Sequence, residues 1–203
     1  MAGDPIASPF WQAAILSGLV DAEGLSECLA AIAPEKRTPE AFDRRLARQA
    51  ILSGHLTLWQ AQQLLLGRWK SLRIGKYTLL DLLGRGGMGQ VYLAQDTRLG
   101  RRVAMKVLAR RRSGDPRAIA RFKREARIAG QLQDEHLVRI YEDGEAFGLR
   151  FLILEYIDGQ DAAWLIKEHG AIPPAVAAEV ARQVALGLEY LDVKGFLHRD
   201  DRP

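Results

Sequence analysis

Residues 82–108 read LLGRGGMGQVYLAQDTRLGRRVAMKVL, and this stretch decides the fold. The glycine-rich run Gly84–Gly89 lies between two segments rich in branched and aromatic residues, and Leu99-Gly100 marks a turn before a third such segment. Apolar segments of this length, bounded by turn residues, predict β-strands. The stretch therefore predicts a glycine-rich hairpin followed by a third antiparallel strand.

The glycine-rich run fits the pattern G-x-G-x-x-G-x-V over Gly84–Val91. Where side chains are absent, the backbone N–H groups of a loop can approach a polyphosphate. A flexible hairpin without any ligand fits the same pattern. A dinucleotide-binding loop requires a helix to begin at the last glycine, whereas the residues that follow Gly89 have the composition of a strand. The run is therefore a candidate phosphate-binding hairpin.

Lys106 is the one charged residue of the segment VAMKVL, residues 103–108. An ammonium group in a buried strand requires an anionic partner. The next segment, residues 113–132, has helical spacing, with Asp115 as N-cap and Pro116 at the first helical position. It carries Glu125, which among basic neighbours would ordinarily be a solvated surface charge. In combination with the hairpin, we expect Glu125 to pair with Lys106 and to present it to nucleotide phosphates.

Two more strands and a long helix are predicted toward the C-terminus. The segments HLVRIYEDG (136–144) and LRFLILEYIDG (149–159) read as strands, and Pro173-Pro174 is typical of a helix start. One face of that helix is aliphatic: Val176, Val180, Val184, Leu188 and Leu191. The order strands, helix, strands, helix predicts an α+β fold.

The N-terminal part of the chain predicts helices only. The sequence AILSG occurs at Ala14–Gly18 and again at Ala50–Gly54, which indicates a two-unit repeat. The glycine that closes each copy is expected to end a helix, Thr38-Pro39 to begin one, and Thr57 with Gln60 to form a capping box. We expect a helical module that binds a protein partner.

The second repeat unit also has the form of a DNA-binding helix-turn-helix. Its last helix, however, is apolar and carries no positive charge before Arg68, which favours packing. The residues that would face bases in the DNA-binding alternative are Gln60, Gln62 and Gln63.

Together these features resemble bacterial eukaryotic-like (Hanks-type) serine/threonine protein kinases. The resemblance covers residues 77–203 and includes the glycine-rich hairpin, VAMK, Glu125, a hinge at Leu154–Ile157 and HRD at His198–Asp200. It implies a kinase-like N-lobe, made of a twisted antiparallel sheet and an αC helix, and the start of a helical C-lobe. An all-α module precedes them.

The expected domains are a helical module at 1–70, the N-lobe and hinge at 77–158, and an incomplete C-lobe at 159–203 that ends in the catalytic loop. In the resembled family the catalytic loop orients the substrate hydroxyl, and here that role falls to Asp200. Arg202 occupies the position of the basic residue that follows the catalytic aspartate, and Pro203 favours serine/threonine over tyrosine substrates.

By the same resemblance the protein uses ATP and Mg²⁺ to phosphorylate protein serine or threonine hydroxyls. Lys106 would contact the α and β phosphates, and Glu125 would hold Lys106. The residues expected to surround the nucleotide are Leu83, Gly84, Gly86, Gly87, Met88, Gly89, Val91, Ala104, Lys106, Leu154, Glu155 and Ile157.

The sequence departs from the family at its C-terminal end. Asp201 stands at a commonly apolar position, and the asparagine and D-F-G aspartate that hold Mg²⁺ do not appear. We therefore expect a truncated chain that is inactive or weakly active. A pseudokinase or nucleotide-binding scaffold is the alternative. Nucleic-acid binding through a basic cluster is disfavoured, because a solvated surface explains these residues as well: Arg98, Arg101, Arg102, Arg110–Arg112, Arg117, Arg121, Lys123 and Arg124.

Composition indicates a globular protein without a membrane segment. Of 203 residues 48% are hydrophobic and 27% charged, and the net charge of +4 is too balanced to imply nucleic acid. The start of the chain lacks the pattern of a signal peptide, and no stretch has about 18 consecutive apolar residues. The single cysteine, Cys28, suggests a reducing compartment. We expect a cytoplasmic chain, whose full-length parent could be anchored to a membrane by a segment after Pro203.

Overall fold

The computed structural model describes residues 8–38, 41–109 and 112–196. The helices in these ranges are α1 (Pro9–Ser17), α2 (Ala22–Ala30), α3 (Phe42–Leu52), α4 (Leu58–Leu65), α5 (Pro116–Ala129), α6 (Ala162–His169) and α7 (Pro174–Val193). The strands are β1 (Arg73–Ile74), β2 (Tyr77–Arg85), β3 (Gly89–Asp96), β4 (Arg102–Leu108), β5 (Ile140–Ala146) and β6 (Leu149–Glu155). The α+β fold and the all-α N-terminal module expected from the sequence are confirmed.

Helices α1–α4 form the N-terminal module around a core of their own. The predicted glycine at the end of α1, Gly18, has φ +66°, a left-handed conformation that glycine adopts without steric cost. The expected start of α3 at Thr38 is wrong. Thr38 instead accepts a turn hydrogen bond from Ala41 N–H, and the helix begins at Phe42. The largest fully buried side chains of this core are Phe10, Leu25, Leu46, Leu64 and Leu72.

All the described strands join one antiparallel sheet in the order β1-β2-β3-β4-β6-β5. Successive residues of a strand face opposite sides of the sheet, so each strand contributes to two cores. The outer face is apolar and includes Leu79, Ala94, Val103, Met105 and Ile153. On the inner face, Phe122 of α5 packs against Leu108 and Leu152.

The sheet is strongly curled, so that its two ends meet at one corner. Glu142 of β5 accepts hydrogen bonds from Lys76 Nζ and Tyr77 Oη, each at 2.8 Å, at the start of β2. Strands β2 and β5 are separated by three strands in the order of the sheet. This contact therefore requires a strong twist and closes one corner of the lobe.

The helical module is fixed to the outer face of the sheet through α4. Thr57 and Gln60 form the predicted capping box. The same two side chains also reach β2, where Thr57 Oγ1 donates to Leu80 O at 2.6 Å and Gln60 Nε2 to Leu79 O at 2.8 Å. Because Gln60 is buried by these contacts, it is not available to contact bases as the DNA-binding alternative requires.

Helices α6 and α7 follow the sheet. Helix α6 was not predicted; Asp161 caps it by accepting a hydrogen bond from Trp164 N–H at 2.7 Å. Helix α7 begins at Pro174 as expected. Of its predicted aliphatic face, Leu191 is buried, and the residues left exposed are Val176, Val180, Val184 and Leu188. No helix in the described ranges combines the length and the apolar character that crossing a bilayer requires.

Candidate active site

Six residues of the central strands form two adjacent rows across the sheet. One row pairs Gly84 with Val91 and Val91 with Lys106, and the next pairs Leu93 with Ala104 and Ala104 with Leu154. Directly paired residues project to the same side of a sheet, and so do residues two apart along a strand. Five of the six were expected to contact a nucleotide, and the sheet thus brings these five together on its inner side.

Lys106 and Glu125 form an ion pair between β4 and α5. Lys106 Nζ lies 2.5 Å from Glu125 Oε1, and 26% of the lysine side chain and 38% of the glutamate side chain are exposed. The pair depends on α5 being held against the sheet, which Phe122 achieves on the same helix three residues earlier. A partly exposed ammonium group that is held by one carboxylate still has N–H donors with which to bind a second anion.

The glycine-rich hairpin turns tightly between β2 and β3. Gly86 N–H donates to Gly89 O at 2.9 Å, and Gly89 N–H donates back to Gly86 O at 3.2 Å. A Cβ atom on Gly89 would lie 1.9 Å from Val107 O, whereas one on Gly84, Gly86 or Gly87 would meet nothing within 4 Å. Gly89 is therefore required by packing against β4, while the other three leave open backbone on the side where phosphates would lie.

The other residues expected at the nucleotide lie at the margins of the same surface. Leu83 is exposed near the end of β2, and Met88 is half-buried in the hairpin. At the end of β6, Glu155 N–H donates to Arg139 O at 2.8 Å. The N–H of Glu155 is thus engaged, and its carbonyl oxygen is the backbone group of this residue that a ligand at the hinge would contact. Ile157 is exposed two residues later.

Two predicted catalytic residues, Asp200 and Arg202, lie outside the described residues, and so do His198 and Arg199. In the ranges that the structure does describe, no group of three or more histidine, cysteine or acidic residues is placed to hold a metal ion.

A cavity of about 670 Å³ lies between the helical module and the outer face of the sheet. It is lined by Val107 and Tyr92, the strand neighbours of Lys106 and Val91, so it opens on the side of the sheet opposite the ion pair. Sequence reasoning missed it, because a capping box predicts a helix start and does not predict which strand the helix packs against.

The similarity of this chain to known proteins covers the sheet from β2 onward and the helices that follow it. The family model described as "Protein kinase domain" matches residues 77–203. The chain is 43% identical over 131 residues to serine/threonine-protein kinase PknD of Mycobacterium tuberculosis, covering 64% of this chain and 20% of that protein. It is 40% identical over 131 residues to PknE of Mycobacterium bovis, covering 64% of this chain and 23% of that protein. The chain thus spans about a fifth of the length of these curated relatives.

A solved structure gives the same result for the fold. The crystal structure of the kinase domain of Mycobacterium tuberculosis PknI superposes with a TM-score of 0.54 at 31% sequence identity. The superposition covers 64% of this chain and 54% of that one.

Proposed function

The chain belongs to the protein kinase family, of the serine/threonine type, and on that premise we propose that it binds ATP at the inner face of its sheet and phosphorylates protein serine or threonine hydroxyls. We further propose the three units expected from the sequence: a module at 1–70, an N-lobe and hinge at 77–158, and the start of a C-lobe at 159–203.

The Lys106–Glu125 ion pair is the observation that carries the proposal. Phosphoryl transfer is catalysed mainly by positioning and electrostatic stabilisation, so a lysine fixed under a glycine-rich hairpin has a direct role. In our proposal Lys106 binds the α and β phosphates, and Glu125 keeps its ammonium group in place. The open backbone of Gly84, Gly86 and Gly87 covers the phosphates.

The adenine ring would lie on the second row of residues. Ala104 and Leu154 offer a half-buried apolar surface of the kind on which a base packs. Glu155 O and Ile157 N–H are the backbone groups we assign to the base edge, with Leu83 and Val91 covering the ring. This arrangement uses every nucleotide residue expected from the sequence except Met88 and Gly89, which shape the hairpin.

Asp200 and Arg202 complete the proposal as the residues that orient the substrate hydroxyl and contact the transferred phosphate. The family uses Mg²⁺ to neutralise charge on the phosphates. The described residues do not supply a ligand set for that ion.

ATP titration of the protein and of two matched variants tests the binding site. Lys106→Met removes the ammonium group and should weaken ATP binding by about 10- to 100-fold, as expected for a charged hydrogen bond. Lys123→Met makes the same change at an exposed position of α5 and should leave affinity unchanged. Equal affinity of the Lys106→Met variant and the unchanged protein would contradict the proposed site.

Phosphoryl transfer is measured separately, with radiolabelled ATP and casein followed by phosphoamino-acid analysis. Label on serine or threonine that Lys106→Met abolishes would support the kinase. ATP binding at this site without any transfer would support the alternative, a nucleotide-binding scaffold.

A further inference from the structure

The cavity on the outer face of the sheet is bounded by both parts of the chain. The helical module contributes Trp59 and Gln63 of α4 and, from the turn that follows, Trp69. Strands β1, β2, β3, β4 and β6 contribute the opposite wall. At about 670 Å³ the cavity has the size of a small-molecule site.

The interior of the cavity is apolar. Its wall includes residues of five neighbouring strands, from β1 to β4 and β6. Such a lining suits the apolar part of a ligand. The apolar lining residues are Trp59, Trp69, Ile74, Leu79, Leu82, Tyr92, Val107, Leu108, Ala109, Phe147 and Leu149.

The charged residues of the cavity are all positive. Arg68, Lys70, Arg73 and Arg85 line it, each of them exposed, and the lining includes no aspartate or glutamate. Lys70 lies over the Trp69 ring at 5.2 Å, and Arg73 donates to a main-chain carbonyl. In the described ranges none of the four forms a salt bridge. Exposed cations above an apolar floor are complementary to an amphiphile with an anionic head.

A strained phenylalanine stands at the edge of this cavity. Phe147 and Gly148 form the two-residue turn between β5 and β6, with φ +52° and +72°. Turns of this kind favour asparagine and glycine, and a bulky side chain at positive φ is disfavoured. Phe147 is nevertheless 81% exposed, so its ring gains little from burial. Because burial of the ring does not compensate for the strained backbone of Phe147, this residue is a candidate for a role in binding.

We propose that the cavity binds an acyl-chain anion. The chain lies along the apolar floor beneath Trp59 and Trp69, and a carboxylate or phosphate head meets Arg68 and its basic neighbours at the rim. A free fatty acid and an anionic membrane lipid share this chemistry. The proposal stands on the cavity alone and does not depend on kinase activity.

Tryptophan fluorescence reports binding directly, because Trp59 and Trp69 line the cavity and Trp11 and Trp164 do not. A dibrominated stearate, titrated as monomer, should quench the fluorescence in a saturable manner. Trp59→Phe and Trp69→Phe should each remove part of the quenching, and Trp164→Phe should not. Absence of saturable quenching, or equal losses in all three variants, would overturn the proposal.

The charge requirement is tested with the methyl ester of the same acid and with Arg68→Gln. For a rim-exposed contact, Arg68→Gln should weaken binding of the acid about three- to fivefold and leave the ester unaffected. Arg48→Gln, which changes an exposed arginine of α3 outside the cavity, is the matched control. An ester that binds as tightly as the acid would refute an anion site.

Phe147→Asn separates binding from folding, because asparagine suits the turn. The variant should melt at the same or a higher temperature and should bind the brominated acid several-fold more weakly. Unchanged affinity in this variant would count against the site. Sedimentation with phosphatidylglycerol vesicles and with phosphatidylcholine vesicles then distinguishes the two sources of the anion. Binding to phosphatidylglycerol vesicles alone indicates a membrane lipid, and binding to neither kind of vesicle indicates a free acid. In both cases the fluorescence quenching must depend on Trp59.

Discussion

Gln60 of α4 donates its side-chain amide to the main-chain carbonyl of Leu79, 2.8 Å away on β2. The amide oxygen of the same side chain accepts from Thr57 N–H at 2.9 Å, so one residue both caps a helix and joins it to the sheet. Gln60 is buried, so neither its amide nitrogen nor its amide oxygen can bond to water instead. The connection between α4 and β2 is therefore sensitive to the loss of this single donor.

Gln60→Glu tests this connection with a nearly isosteric change. Glutamate preserves the acceptor of the capping box but cannot donate to Leu79 O, and its charge would be buried beside a carbonyl. We expect the free energy of unfolding at neutral pH to fall by about 1–3 kcal/mol in denaturant titrations. Gln62→Glu, at an exposed position of the same helix, should change it by less than about 0.5 kcal/mol. Equal effects of the two substitutions would mean that the contact does not stabilise the protein.

Gly89→Ala should destabilise the hairpin, because the new methyl group would lie 1.9 Å from Val107 O. Main chain cannot move as easily as a side chain, so we expect a loss of about 1–3 kcal/mol in the free energy of unfolding. Gly87→Ala places its methyl group in open space and should fold normally. Thermal melts of the two variants make the comparison, and a stable Gly89→Ala protein would show that the hairpin can be displaced from β4.

Acid stability should depend on the corner where Glu142 meets Lys76 and Tyr77. Burial alone would raise the pKa of Glu142, but the hydrogen bonds from Lys76 and Tyr77 outweigh it and lower that pKa below its usual value. A carboxyl group with a lowered pKa in the folded state stabilises the protein above its unfolded pKa, about 4.3, and this contribution is lost as the pH falls through the folded value.

Denaturant titrations between pH 6 and pH 2 measure this effect. Stability should fall as the pH decreases below about 4, and Glu142→Gln should make that fall shallower. Glu35→Gln changes an exposed glutamate of the helical module and is the control. An unchanged slope in the Glu142→Gln variant would show that the corner does not titrate with unfolding.

The exposed aliphatic face of α7 should promote association. Val180→Gln and Val184→Gln together replace two exposed apolar side chains and should reduce binding of a hydrophobic dye and self-association in sedimentation. Stability should stay within about 0.5 kcal/mol, because neither residue packs in a core. A marked loss of stability would indicate that this face is covered in solution.

The strands and the helix α5 could be predicted because local signals agree with the fold there. Glycines bound the strands, and Asp115 with Pro116 marks the start of α5, where the structure confirms an N-cap and a first-turn proline. Lys106 and Glu125 could be paired from sequence because a lone lysine in an apolar strand requires an anion.

Other features depend on contacts between distant parts of the chain. The corner formed by Glu142 could not be predicted, because the curl of a sheet is set by its packing on both faces. The two-residue strand β1 is too short to give an alternating pattern. Helix α6 has a cap signal in Asp161, but eight residues offer little periodicity, and it was missed for that reason.

The two outermost strands determine whether this sheet can grow by adding another chain. An unpaired edge is a template for aggregation, and proteins protect edges with short strands or with charge. Here β1 offers only two residues, and β5 carries Glu142, Asp143 and Glu145 in close succession. Glu142 and Glu145 form ion pairs with Lys76 and Arg150, so a second copy approaching along β5 would have to fit against these paired side chains as well as Asp143. The strand that closes the corner of the lobe is therefore a poor template for further pairing.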